Sequence, residues 1–129
     1  MLRQGPIPIV LHAASEPLLV ALLIAAPFIF AFSDQSAPTA LSIIAGVVIL
    51  VVAMSTRWKL SLVKVIPVEV HALLDLGLGG LLIASPFIFA FSDVTEPTAF
   101  FIAFGIVEIL ATLATAWRGN VAVPATVRP

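Results

Sequence analysis

Four blocks of apolar residues, at 8–33, 38–57, 67–92 and 97–117, alternate with short polar stretches along the chain. Each block is long enough to cross a hydrocarbon core of about 30 Å as a helix. The pattern therefore predicts four transmembrane helices. Their ends carry helix punctuation. Pro38 and Pro97 fall in first turns, after Ser36 and Thr95 as candidate N-caps, Pro67 opens the third block, and Gly119 follows the fourth. The first and third blocks, at roughly 39 Å if fully helical, exceed the hydrocarbon core. Pro27 and Pro86 lie two-thirds of the way along them, which predicts a kink or an end there. In the first block alone, Ser15-Glu16-Pro17 reads as a second helix start, so a break is expected near that point.

The polar and apolar pattern repeats. PFIFAFSD occurs at 27–34 and again at 86–93, and the same shift of 59 positions carries His12 onto His71, Gly46 onto Gly105 and Trp58 onto Trp117 without a gap. This predicts two tandem two-helix units, 1–65 and 66–129. The repeat also decides how the first block is read. Its partner at 67–92 lies inside the chain, so the first block is expected to be a retained span rather than a signal peptide.

Composition agrees with the pattern. The chain is 61% hydrophobic and 10% charged, with a mean hydropathy of +1.21. A soluble fold of this size could not hide so much apolar surface. The absence of cysteine excludes disulfides and thiol chemistry. Six basic residues against seven acidic ones leave no basic patch for nucleic acid.

The distribution of charge predicts orientation. Arg3, Arg57, Lys59, Lys64, Arg118 and Arg128 all lie in the two tails or the middle connection, whereas the other two loops carry Asp34, Asp93 and Glu96. By the positive-inside rule both tails are cytoplasmic, and Trp58 and Trp117 are expected at the cytoplasmic interface. The alternating Phe28, Phe30 and Phe32, with Phe87, Phe89 and Phe91, predict an aromatic cluster at the outer face. Asp34 and Asp93 are expected to cap the turns that follow.

Ionisable residues inside spans are costly and mark candidate chemistry. They are His12, Glu16, Glu69, His71, Asp75 and Glu108. His12 and Glu16 stand four apart, as do His71 and Asp75, so each pair shares a helix face. By helix rise, both pairs and Glu108 fall within one layer of the cytoplasmic half. The reading with fewest assumptions is that these groups hydrogen-bond to one another and hold helices together.

Sharper readings compete with it. His12 and His71 as axial ligands would hold a haem, or His12, Glu16, His71 and Asp75 a divalent metal ion. A buried carboxylate beside histidine also suits a proton or ion path through Glu108. Catalysis finds no nucleophile or signature such as HExxH. Glu69 sits in a first turn, where the helix dipole favours an anion. Glu108 replaces Ile49 of the first repeat, with Gly105, Thr112 and Thr115 on its face, and its expected partner is a histidine. Gly77, Gly79 and Gly80 predict close packing of a helix or second protomer, or room for a flat ligand.

With the repeat laid out, the chain resembles the SPW-repeat family of small prokaryotic membrane proteins. Ala26-Pro27-Phe28 and Ser85-Pro86-Phe87 stand where that family has Ser-Pro-Trp, late in the first helix of a two-helix unit. The resemblance implies an all-α, four-helix integral membrane protein of a prokaryotic cytoplasmic (inner) membrane, and no biochemical role. The combined expectation is a small, non-enzymatic binding or accessory component in the lipid bilayer, homo-oligomeric or paired with a membrane partner protein.

Overall fold

The computed structural model describes residues 4–118. Arg3, Gly119 and Arg128, used above for orientation and helix ending, lie outside them. Four helices dominate: α1 (Ile9–Ile29), α2 (Ser36–Ser55), α3 (Val68–Ile88) and α4 (Thr95–Ala114). Their 20 or 21 residues correspond to about 30 Å, the thickness of the hydrocarbon core. All four are apolar and long enough to span a membrane. Outward-facing Leu18, Val51, Leu73 and Leu110 are exposed, as lipid-facing residues of a bundle must be. The molecule is a multi-pass, all-α membrane four-helix bundle.

α1 packs chiefly on α2 and α3 on α4, with lighter seams between α2 and α3 and between α1 and α4. Small residues permit the close approach. A Cβ on Gly105 would stand 2.6 Å from the Gly79 carbonyl, and one on Gly46 would stand 2.9 Å from Ile24. Gly79 and Gly105 thus pack helix to helix within the chain, whereas Gly77 and Gly80 have no atom within 4 Å of a built Cβ.

The core divides into two. Val20, Leu23, Ile49, Leu82, Phe101 and Phe104 belong to the larger cluster, and Ala13, Ala53, Ala72, Trp58 and Trp117 form a smaller one. The smaller cluster lies at the end carrying Arg57, Lys59, Lys64 and Arg118, called the basic end below.

Backbone pairing closes that end twice in the same way. A short strand β1 (Ile7–Pro8) pairs in parallel with β2 (Thr115–Ala116), Ile7 opposite Thr115. Thr56 bridges Ile66 in parallel in the other half. Ile66 and Thr115 are the repeat equivalents of Ile7 and Thr56, so the two pairings are related by the internal two-fold.

Several expectations are corrected. α1 runs unbroken through Ser15-Glu16-Pro17. The proline removes one backbone bond, to the Ala13 carbonyl, and packing against α2 keeps the helix continuous. Helices α1 and α3 stop at Ile29 and Ile88, earlier than the apolar blocks predict. There Ala31 and Ala90 adopt left-handed φ values of 55° and 54°. Phe32 and Phe91 then donate their N–H groups to the Pro27 and Pro86 carbonyls. The prolines therefore sit in the last turn and mark an end. The N–H that Pro27 lacks would have met the Leu23 carbonyl, and the Ser42 hydroxyl of α2 donates to that oxygen instead.

Ser36 and Thr95 are first helical residues and not N-caps. Gln35 and Val94 hold those positions in extended conformation, and neither helix start has a side-chain cap bond, from Asp34, Asp93 or any other residue. Thr39 and Thr98 instead donate to the Phe32 and Phe91 carbonyls at 3.0 and 2.9 Å. The left-handed turn directs Phe32 and Phe91 into the core, unlike the expected six-residue aromatic cluster, while Phe28, Phe30, Phe87 and Phe89 stay exposed. Trp58 and Trp117 lie at the basic end. They are buried, turned inward, with their indole N–H groups donated to the Ala53 and Thr112 carbonyls.

Candidate functional site

His12 and Glu16 lie on the first turns of α1, and His71 and Asp75 on the matching turns of α3. Each pair is one helical turn apart, so each helix presents an imidazole and a carboxylate on one inward face. The two helices bring all four residues together at the basic end. None is more than 4% exposed, and one ligand atom from each lies within 4.8 Å of every other.

The distances are short and shared across the repeats. His12 Nε2 stands 3.1 Å from Glu16 Oε1 and 3.2 Å from Asp75 Oδ2. His71 Nε2 stands 3.2 Å from Asp75 Oδ2 and 3.7 Å from Glu16 Oε1. Two imidazoles that share one carboxylate oxygen cannot stand on opposite faces of a porphyrin, so this arrangement does not fit the haem reading. A metal ion has a different requirement. Bonds of 2.0–2.1 Å to nitrogen and oxygen imply ligand-to-ligand edges of about 3.3 Å, close to the four His–carboxylate separations, within a set whose ligand atoms all lie inside 4.8 Å of one another.

The other ring nitrogens are held by threonines from the opposite repeat. His12 Nδ1 lies 3.0 Å from Thr115 Oγ1, and that hydroxyl donates to the Ala111 carbonyl at 2.7 Å. His71 Nδ1 lies 2.8 Å from Thr56 Oγ1, which donates to the Val52 carbonyl at 2.7 Å. A hydroxyl whose proton is committed to a carbonyl can only accept from the imidazole. Both histidines therefore carry hydrogen on Nδ1 and turn Nε2 toward the carboxylates. Outer partners of this kind orient histidine ligands at metal sites.

Polar valence is left over at the centre. Both oxygens of Glu16 and the Nε2 of His71 are buried without an aligned hydrogen-bond partner. Such groups are expensive to leave unsatisfied in an apolar interior. Asp75 receives a further contact from the Thr112 hydroxyl at 3.5 Å. The two tryptophans cover the imidazoles from the basic end, with ring centroids 4.3 Å apart for Trp58 and His71 and 4.7 Å for Trp117 and His12.

Other sequence candidates are placed elsewhere. Glu69 is exposed in the first turn of α3. Glu108 is 1% exposed, one turn along α4 from Thr112, and its Oε1 has no hydrogen-bond partner. The expected histidine partner is not there, because both imidazoles are engaged by the threonines, Glu16 and Asp75. Sequence reasoning missed Thr56 and the contacts of the two tryptophans with the imidazoles. The repeat held the missing signal, since Thr56, Trp58 and His71 recur as Thr115, Trp117 and His12.

The family model of the SPW repeat domain matches residues 10–115. No curated protein and no solved structure matches the chain.

Proposed function

The chain belongs to the SPW repeat family, and we propose that it holds one divalent cation inside the membrane, between His12, Glu16, His71 and Asp75. The observation that carries this reading is the convergence of four buried ligand atoms, with the Glu16 carboxylate and His71 Nε2 left unsatisfied, while threonines fix the far side of each imidazole. The donor chemistry selects the ion. Mixed imidazole and carboxylate ligands suit zinc and its late first-row neighbours, whereas magnesium and calcium favour oxygen alone. Charge points the same way: two neutral imidazoles and two carboxylates leave a dication with no net charge in a low-dielectric interior.

The two units, 1–65 and 66–129, each contribute one histidine and one carboxylate. The basic end faces the cytoplasm of a prokaryotic inner membrane, where Arg57, Lys59, Lys64 and Arg118 satisfy the positive-inside rule. Ion conduction through Glu108 is less well supported, because an ion moving on toward the acidic end would meet the apolar core of Leu23, Leu82, Phe101 and Phe104. The protein is thus read as a metal-holding binding or accessory component, not an enzyme.

The test is elemental analysis of purified protein equilibrated with Zn²⁺ and then desalted. About one ion per chain is expected, with loss of the ion in His12→Ala and Asp75→Asn. Protein that retains no zinc, or variants that retain as much as the wild type, would overturn the proposal.

A further inference from the structure

The two seams of the bundle are not equivalent. Between α2 and α3 lies a pocket of about 280 Å³ that runs from the lipid-facing surface to Glu16 and Asp75. Val48, Val52, Leu78 and Leu81 wall it, and Val48 and Leu81 are themselves exposed toward lipid. Gly77 lies on its rim with nothing within 4 Å of a built Cβ. At the equivalent positions the other seam has Leu18 for Gly77 and Glu108 for Ile49. The α1–α4 seam holds a pocket of about 250 Å³ as well, but it is lined by Leu19, Leu22, Phe100, Phe104 and Val107 and does not reach the carboxylates.

The chemistry of the lining selects the occupant. Apart from Glu16 and Asp75, the walls are leucine, isoleucine, valine and glycine, and none of these side chains carries a hydrogen-bond donor. Glu16 is fully buried, and both its oxygens lack a hydrogen-bond partner. An ionised carboxylate is an acceptor only, so a ligand head that satisfies it must donate and is best positively charged. Carboxylates, fully ionised phosphates and simple carbonyl compounds present only acceptors and would leave Glu16 unpaired. The apolar walls, the small volume and the opening onto the bilayer require a compact apolar body.

We infer that the α2–α3 seam is a binding site for a small lipophilic amine, entering from the bilayer and placing its ammonium group against Glu16 and Asp75. The inference is independent of the metal reading, although the two ligands share carboxylates and exclude each other. It follows that zinc, if bound, displaces the amine.

The probe is para-fluorophenethylamine, followed by fluorine NMR in detergent with the full chain, and para-fluorophenethyl alcohol is the control of equal shape. Saturable line broadening is expected for the amine and not for the alcohol. Gly77→Leu, which restores the residue of the first repeat, should weaken the amine by about tenfold or more by occlusion and leave zinc binding unchanged. Glu16→Gln should abolish the preference for amine over alcohol. Should Gly77→Leu lose its helicity, Val48→Phe fills the pocket from a lipid-facing position and serves in its place. Equal behaviour of amine and alcohol, or undiminished amine binding in the filled variants, overturns the inference. Amine binding in a protein that never takes up zinc would sink the metal reading alone.

Discussion

At the scale of single residues, the two threonines distinguish a prepared ligand set from a chance meeting of polar side chains. Thr56 and Thr115 each accept from a histidine of the other repeat and donate to their own helix. Replacing either by valine keeps the shape and removes the acceptor. Thr56→Val and Thr115→Val should each weaken zinc by about 10- to 100-fold without loss of helicity, read by competition with a chromophoric chelator. Unchanged affinity would reduce the hydroxyls to ordinary helix-end groups. His12, Glu16, His71 and Asp75 were all legible from the sequence, because ionisable residues stand out in apolar spans and i, i+4 spacing puts them on one face. Their threonine partners were not, because threonine is unremarkable in a membrane helix and its partner lies 15 or 103 residues away in the chain.

At the scale of elements, helix lengths and packing follow from where the chain lets backbones meet and where it turns. The apolar blocks at 8–33 and 67–92 overshoot the helices, since hydropathy does not register the left-handed residues Ala31 and Ala90 that end them. Glycines show the same gap between composition and geometry. Gly79 and Gly105 face each other across the α3–α4 contact, while Gly80, in the same cluster, faces open space. Gly105→Ala would force a Cβ against a backbone oxygen and should cost about 1–3 kcal/mol, whereas Gly80→Ala should be neutral or slightly stabilising. Unfolding in mixed micelles, followed by circular dichroism, separates the two, and equal stabilities would contradict this packing.

At the scale of the whole molecule, the internal two-fold makes the chain nearly circular. Ile7 meets Thr115 just as Ile66 meets Thr56, so the segment before α1 takes the place that the middle connection takes before α3. A permutant opened between Leu60 and Ser61, with residues 118 and 4 joined by a flexible linker, should therefore fold and bind zinc with the wild-type stoichiometry. A permutant that is helical but cannot bind zinc would show that the 59–65 connection does more than close the second unit.

The chain by itself determined four spans, their lengths to within a few residues, the duplication and the polar layer. Those properties depend on the cost of burying or exposing each residue in lipid, which is readable one position at a time. Only the tertiary structure decided that the two His–carboxylate pairs share oxygens, that the tryptophans turn inward over them, and that the pocket of the α2–α3 seam reaches Glu16 and Asp75. These depend on which helix faces reach one another across the bundle, and that is set by packing between residues far apart in the chain.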